Sequence, residues 1–299
     1  MKRQETHRSD WRPLEGVTLR QLVGARVQAH YALQWLARIA RAYIPPQPDD
    51  RHTSLLWDRK LDAFVTQSLK TRIYFSVRIP DLVLSLHDVS SSLEIIRLAG
   101  HSDLEIREWL GKELSARGFD AEALDAPSPY ELPAHPIAEG AKYEMAPPQK
   151  DALAQLAAWF ANAELLLSEL RRRMRERGLA TSPVRCWPHH FDIAALTTLP
   201  AGDTDVISSI GSGLSPGDEY YEGPYFYVSV SPDPNPILLP KLTRVGHWHT
   251  HEFTAAVLTW DNVLSSNEQK AVARDFLHGA VVAALKILAD SRSLDIELN

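Results

Sequence analysis

Leu153, Leu156, Phe160, Ala163, Leu167, Leu170 and Met174 recur at alternating spacings of three and four residues. That period places them in one stripe of an α-helix, where 3.6 residues complete a turn. So long a stripe is stable only when buried, which commits the chain to a core built around this helix. The helix ends on Arg171-Arg-Arg-Met-Arg-Glu-Arg177 and then Gly178. Cations there offset the partial negative charge of the carbonyl end, and glycine accepts the left-handed C-cap conformation. The arginine run reads as a solvated helix end or as a clamp for phosphate or nucleic acid.

Other helix signals surround this one. Thr18-Leu-Arg-Gln21, Ser102-Asp-Leu-Glu105 and Ser265-Ser-Asn-Glu268 all fit the capping box, in which two side chains satisfy two orphan amides. They predict helices from Thr18 to about Ile44, where Pro45 and Pro46 stop it, from Ser102 to Gly118, and from Ser265 to near Asp290. Segments rich in Val, Ile, Phe and Tyr at 55–69 and 73–86, and again near 183–199, 205–212, 224–231 and 247–260, read as strands.

A proline-rich connector, residues 125–149, separates an N-terminal half, 1–124, from a C-terminal half, 150–299. Trp57-Asp-Arg-Lys-Leu-Asp62 and Trp187-Pro-His-His-Phe-Asp192 share Trp, Asp five residues later, and an apolar run. Each follows a long helix. The expected fold is therefore α+β, two similar helix–strands–helix halves from an internal duplication, with sheets covered by helices.

The classes of function are bounded by charge and cysteine usage. Net charge is −6, from 32 basic and 38 acidic residues, so nucleic acid and anionic membrane are not expected partners. The single cysteine, Cys186, excludes an internal disulfide and a CxxC metal site, and it reads as core. The N-terminus lacks the apolar stretch of a signal peptide, and no apolar run nears the roughly 20 residues of a membrane span. The expected compartment is the cytoplasm.

Chemistry concentrates after residue 186. On a regular strand His190 and Asp192 would share one face. His247, His249 and His251 would share another with Phe253 and Ala255, a ladder of imidazoles running into the core. The turn Ser215-Pro-Gly-Asp-Glu219 presents Asp218, Glu219 and Glu222 beside the aromatic run from Tyr225. Three readings stay open. His190, Asp192, His249 and Glu219 could hold a divalent metal, since imidazole and carboxylate suit zinc, iron or manganese. The same groups could do metal-free acid–base chemistry on a small polar molecule, with His190 as acid–base group, Asp192 orienting it, Glu219 and His249 contributing, and Tyr225 supplying a hydroxyl. Or they form a buried structural hydrogen-bond network, in a non-catalytic ligand-binding or interaction module. No GxSxG, GxGxxG or Walker sequence is present, so a nucleotide cofactor is not expected.

The segments WPHHFDIA, SIGSGLSPGDEYYEGPYFYVSV with a following LPKL, GHWHTHEFTAAVL, Pro129-Tyr-Glu-Leu-Pro-Ala-His-Pro136, and the helix around His30-Tyr-Ala-Leu-Gln34 carry a resemblance. Together, from about residue 18 to 289, they are similar to an uncharacterised bacterial domain-of-unknown-function family. The resemblance implies no activity. It does imply which polar positions go together: His30, Glu131, His135, His189, His190, Asp192, Glu219, Tyr225 and His249. His247 and His251 are less typical of it, and Gly223 stands where Glu is more usual. His30, Glu131, His135 and His189 would then be substrate-binding. The connector motif also reads as a rigid, proline-braced linker.

Overall fold

The computed structural model of the chain describes residues 11–69, 72–88, 93–199, 207–242 and 245–292, with the side chains of the last helix described to 289. Helix α1 (Leu19–Tyr43) leads into strands β1 (Leu56–Asp58), β2 (Ala63–Val65), β3 (Ile73–Arg78), β4 (Val83–Asp88) and β5 (Leu93–Arg97), then α2 (Asp103–Ser115). Helix α3 (Pro147–Glu176) follows, then β6 (Ala180–Thr181), β7 (Arg185–Trp187), β8 (Asp192–Thr198), β9 (Ser209–Ser215) and β10 (Tyr225–Ser231). The chain closes with β11 (His247–His249), β12 (Ala255–Thr259), α4 (Trp260–Leu264) and α5 (Gln269–Arg292). The architecture is mixed α+β with two antiparallel sheets. No described helix is long and apolar enough to cross a membrane.

Two compact units divide the chain. The N-terminal unit comprises Val17–Ala158 and Arg185–Phe191. The C-terminal unit comprises the described parts of 1–16, Trp159–Val184 and those of 192–299.

In the N-terminal unit, α1 starts at Thr18 with both hydrogen bonds of its capping box made, and its C-cap is Ile44. α2 starts likewise at Ser102, and Gly118, at φ +78°, ends its final turn. The expected extended segments are hairpins: β1 turns into β2 at Asp62 (φ +56°), and β3 turns into β4 at Leu82 (φ +46°). The five strands lie in sequence order. β7 joins this unit through a two-way backbone bridge between Leu55 and Cys186, at 2.9 and 2.8 Å, and Cys186 is fully buried.

In the C-terminal unit the sheet order is β11-β12-β10-β9-β8-β6. Phe226, Val228 and Val230 of β10 are buried on the face where α5 packs, and Trp159 of α3 brings its ring to 6.1 Å from Phe226. Alternation sends Tyr225, Tyr227 and Ser229 to the other face. There Gly213 of β9 lies under the Tyr227 ring. A Cβ at Gly213 would meet that ring at 2.5 Å and the Ile193 carbonyl at 2.8 Å. The described residues before Gly16 are tied here by two side-chain amides: Asn162 brackets Arg12 at 2.8 Å on both its backbone groups, and Gln269 does the same for Leu14 at 2.9 and 2.8 Å. The expected start of the last helix moves by a few residues. Ser265 is the C-cap of the short α4, and the hydroxyl that accepts from the Glu268 amide belongs to Ser266.

Candidate functional site

The turn after β9 organises the C-terminal unit's polar side chains. Gly217 takes φ +112°, which a side chain would resist, and this brings Asp218 back over the turn. Asp218 Oδ1 accepts from the amides of Tyr220 (3.0 Å) and Tyr221 (3.1 Å). Its Oδ2 accepts from the Ser215 hydroxyl (3.2 Å) and the Tyr225 phenol (2.5 Å). One carboxylate thus positions two tyrosines by their backbones and locks a third. Burial, and then the Asp218 carboxylate, push the Tyr225 phenol far up from its ordinary pKa, so it stays protonated.

Tyr221 sits between two imidazoles. Its hydroxyl lies 2.8 Å from His247 Nε2 and 3.1 Å from His249 Nδ1, while His249 Nε2 lies 2.7 Å from the His251 carbonyl. A carbonyl only accepts, so His249 Nε2 carries a proton. With neutral imidazoles, His249 Nδ1 then accepts from the Tyr221 hydroxyl, and the tyrosine oxygen accepts from His247 Nε2–H. The protons form a single directed file, His247 to Tyr221 to His249 to backbone. Burial, and then His249, lower the His247 pKa, so its Nδ1 lone pair is free of a proton at neutral pH. Burial and then Asp218 raise the Tyr221 phenol, which keeps its own proton.

Aromatic contacts extend the file in both directions. Tyr220 lies edge-on to His249 at 5.3 Å, Phe253 stacks on His249 at 4.3 Å, and the Tyr220 hydroxyl donates to Glu252 in a short hydrogen bond. That bond, with some burial, pushes the Tyr220 phenol up to about 12. On the other side, Tyr221 packs on Tyr225 at 4.9 Å and Tyr225 on Tyr227 at 6.2 Å. Tyr227 donates to Asp192 Oδ2 at 2.5 Å. The result is one continuous array from Asp192 to Glu252.

The array corrects two expectations of strand phase. His247 and His249 share a face on β11, but β11 ends there. Residues 250–254 form a loop, Glu252 takes φ +65°, and His251 is exposed, so no imidazole ladder enters the core. Similarly, Pro188–Phe191 is a turn between β7 and β8, so His190 and Asp192 do not share a strand face. Among the expected carboxylates, Glu219 is exposed, and the one that the turn directs inward is its neighbour Asp218.

In the N-terminal unit, the same turn is held by α1. His30 Nε2 (2.6 Å) and Gln34 Nε2 (2.9 Å) both donate to the Pro188 carbonyl. The His30 ring stacks on Phe191 at 5.0 Å, and Phe191 itself carries the uncommon φ of +61°. Burial lowers the His30 pKa to about 4. Tyr130 of the connector donates to Gln34 Oε1 at 2.8 Å. The turn presents His189 and His190 as exposed neighbours, ring centres 4.2 Å apart, with Tyr130 at 5.7 Å from His189. Burial and then His190 lower the His189 pKa. Glu131 is exposed. His135 caps a turn of 3-10 helix by accepting from the Ile137 amide at 3.2 Å, with its ring 5.7 Å from that of Tyr31.

Among the described residues, no three His, Cys, Asp or Glu side chains are placed to hold a metal ion, so His190, Asp192, His249 and Glu219 do not form a ligand set. The residues that sequence reasoning passed over are Tyr220, Tyr221 and Tyr227, and Asp218, seen in the turn, was given no role there. Two signals pointed to them: an Asp two and three residues before a Tyr pair in a Pro-Gly turn, and glycines on the strand facing Tyr227. No family model, no curated protein and no solved structure matches the chain.

Proposed function

We propose that the C-terminal unit carries out metal-free acid–base chemistry on a small polar molecule at the Tyr221–His247–His249 file. The observation that carries this reading is the tyrosine hydroxyl bridging two imidazoles, at 2.8 and 3.1 Å, in an order that only one set of neutral tautomers satisfies. His247 Nδ1 is the base. As it takes a proton, its Nε2–H passes to the tyrosine oxygen while the tyrosine proton passes to His249 Nδ1. Positive charge thereby arises at His249, beside the Tyr220–Glu252 pair. The phenol ends as it began, in keeping with a pKa too high for it to ionise by itself. Tyr227 with Asp192 supplies a fixed polar rim, and Asp218 positions the tyrosines without reacting, because its acceptor sites are taken up within its own turn.

The test is consumption of metabolites. Purified protein is incubated with a polar metabolite mixture and followed by mass spectrometry, beside Tyr221→Phe and His247→Gln. At least one component is expected to be consumed by the parent protein, and roughly 100-fold or more slowly by either variant. If the parent leaves every component unchanged, the non-catalytic binding module becomes the better reading.

We infer in addition that the two sequence halves, 1–124 and 150–299, descend from one duplicated helix–strands–helix segment. Each Trp-x4-Asp motif lies at a hairpin turn entered from a short strand, and each turn closes on a non-glycine residue near φ +60°, Asp62 and Phe191. Membership of the resembled family, helices over both sheets and a cytoplasmic setting accompany this proposal.

A further inference from the structure

The C-terminal unit has a second concavity, to which no residue of the tyrosine–histidine array contributes. The last turns of α3 and the middle of α5 flank a half-open cavity of about 540 Å³. That volume is in the range of sites for small organic ligands. Its walls are of two kinds. Aliphatic side chains of both helices form one part, including Val282, which is 43% exposed although apolar. Arg172, Arg173, Arg177 and His278 form the other, with Glu176 the single acid among the lining residues.

The arginines are not equivalent. Arg172 donates to Glu176 at 2.7 Å, and Arg173 donates to Glu169 at 2.8 Å. Arg173 also donates to His278 Nδ1 at 3.3 Å, which leaves the His278 proton on Nε2. Among the described residues no carboxylate pairs with Arg177. The carbonyl end of α3 lies in the same place and repels anions. A helix end needs one or two cations to offset that field; here three line a cavity in a chain of net charge −6. The excess cation sits beside uncovered aliphatic surface, and the two together define a ligand with a charged head and an apolar body.

We propose that this cavity binds a small amphipathic anion, a carboxylate or phosphate head on a short acyl chain, with the head on Arg177 and the chain against Val282. The guanidinium supplies paired N–H donors to the head group, and the aliphatic wall covers the chain.

Octanoate is the probe, with inorganic phosphate and octanol as the separated head and tail. Binding is followed by calorimetry and by the ring signals of His278, assigned through His278→Gln. Octanoate is expected to bind and to shift the His278 ring, while phosphate and octanol each bind at least roughly tenfold more weakly. Arg177→Gln and Val282→Asp, both surface changes on different helices, are each expected to weaken octanoate by roughly tenfold, about 1.4 kcal/mol, with the thermal transition retained. Absence of octanoate binding, equal binding by Arg177→Gln and Val282→Asp, or phosphate binding as tightly as octanoate overturns the proposal.

Discussion

His30 shows how one side chain can be essential without being reactive. Its Nε2–H meets the Pro188 carbonyl in a buried setting where Arg26, His189 and His190 all disfavour its charge, and its pKa falls to about 4 from 6.5. The neutral form is the native one, so between those values the unfolded chain binds the extra proton. Stability from this group is complete above pH 6.5 and is lost as pH falls toward 4. The full loss is about 3 kcal/mol, taking 1.36 kcal/mol per unit. Denaturant titrations at pH 7 and pH 4.5 are expected to show most of that loss in the parent and much less of it in His30→Gln, which keeps a donor but cannot titrate. The sequence offered His30 as a polar position on a helix. It could not show that its partner is a backbone carbonyl more than 150 residues away. The tyrosines were hidden for a related reason. Tyr221 lies within a recognisable Pro-Gly-Asp turn, but its role comes from that Asx turn folding it back between histidines of a different strand, which the local sequence does not show.

At the level of elements, most of the fold was legible. Thr18 and Ser102 cap α1 and α2 as their capping boxes predict, and every residue of the α3 stripe is buried. Such signals are local, so a sequence can carry them whole. Strand phase was less legible. A tight turn of four residues inside Trp187–Asp192 resets the alternation, and so does the loop after His249, and neither contains a glycine or an Asn-Gly pair to announce it. The glycines of β9 illustrate the opposite case, a signal that was visible but not interpretable alone. Gly211-Ser-Gly213 has the look of a broken phosphate loop, whereas its second glycine makes room for Tyr227. Gly213→Ala is expected to destabilise the protein by about 1–3 kcal/mol, because the nearby Ile193 carbonyl is backbone and cannot swing away. The urea midpoint measures this. Adding Tyr227→Ala should recover only part of the loss, since the ring is one of two obstacles.

The molecule as a whole is not cut where its composition changes. Arg185–Phe191 belongs with the N-terminal unit although α3 and β6 come before it. Its contribution there is concrete: the Leu55–Cys186 bridge, and the Pro188 carbonyl that takes up both His30 and Gln34. A fragment of residues 17–158 lacks all of these and leaves two buried donors unanswered, at about 1–3 kcal/mol each. It is expected to melt without a cooperative transition by circular dichroism, and a fragment of 17–191 is expected to regain one. Nothing in the sequence marks this return of the chain, because a strand contributed at a distance has the same local pattern as one contributed in place.

The amide clamps on residues 11–14 have a consequence for how the protein is made. The side chain that brackets Leu14 is Gln269, which leaves the ribosome 255 residues later. A growing chain must therefore carry this segment unplaced while those 255 residues are made, and the unit that holds it can close only after Gln269 has emerged.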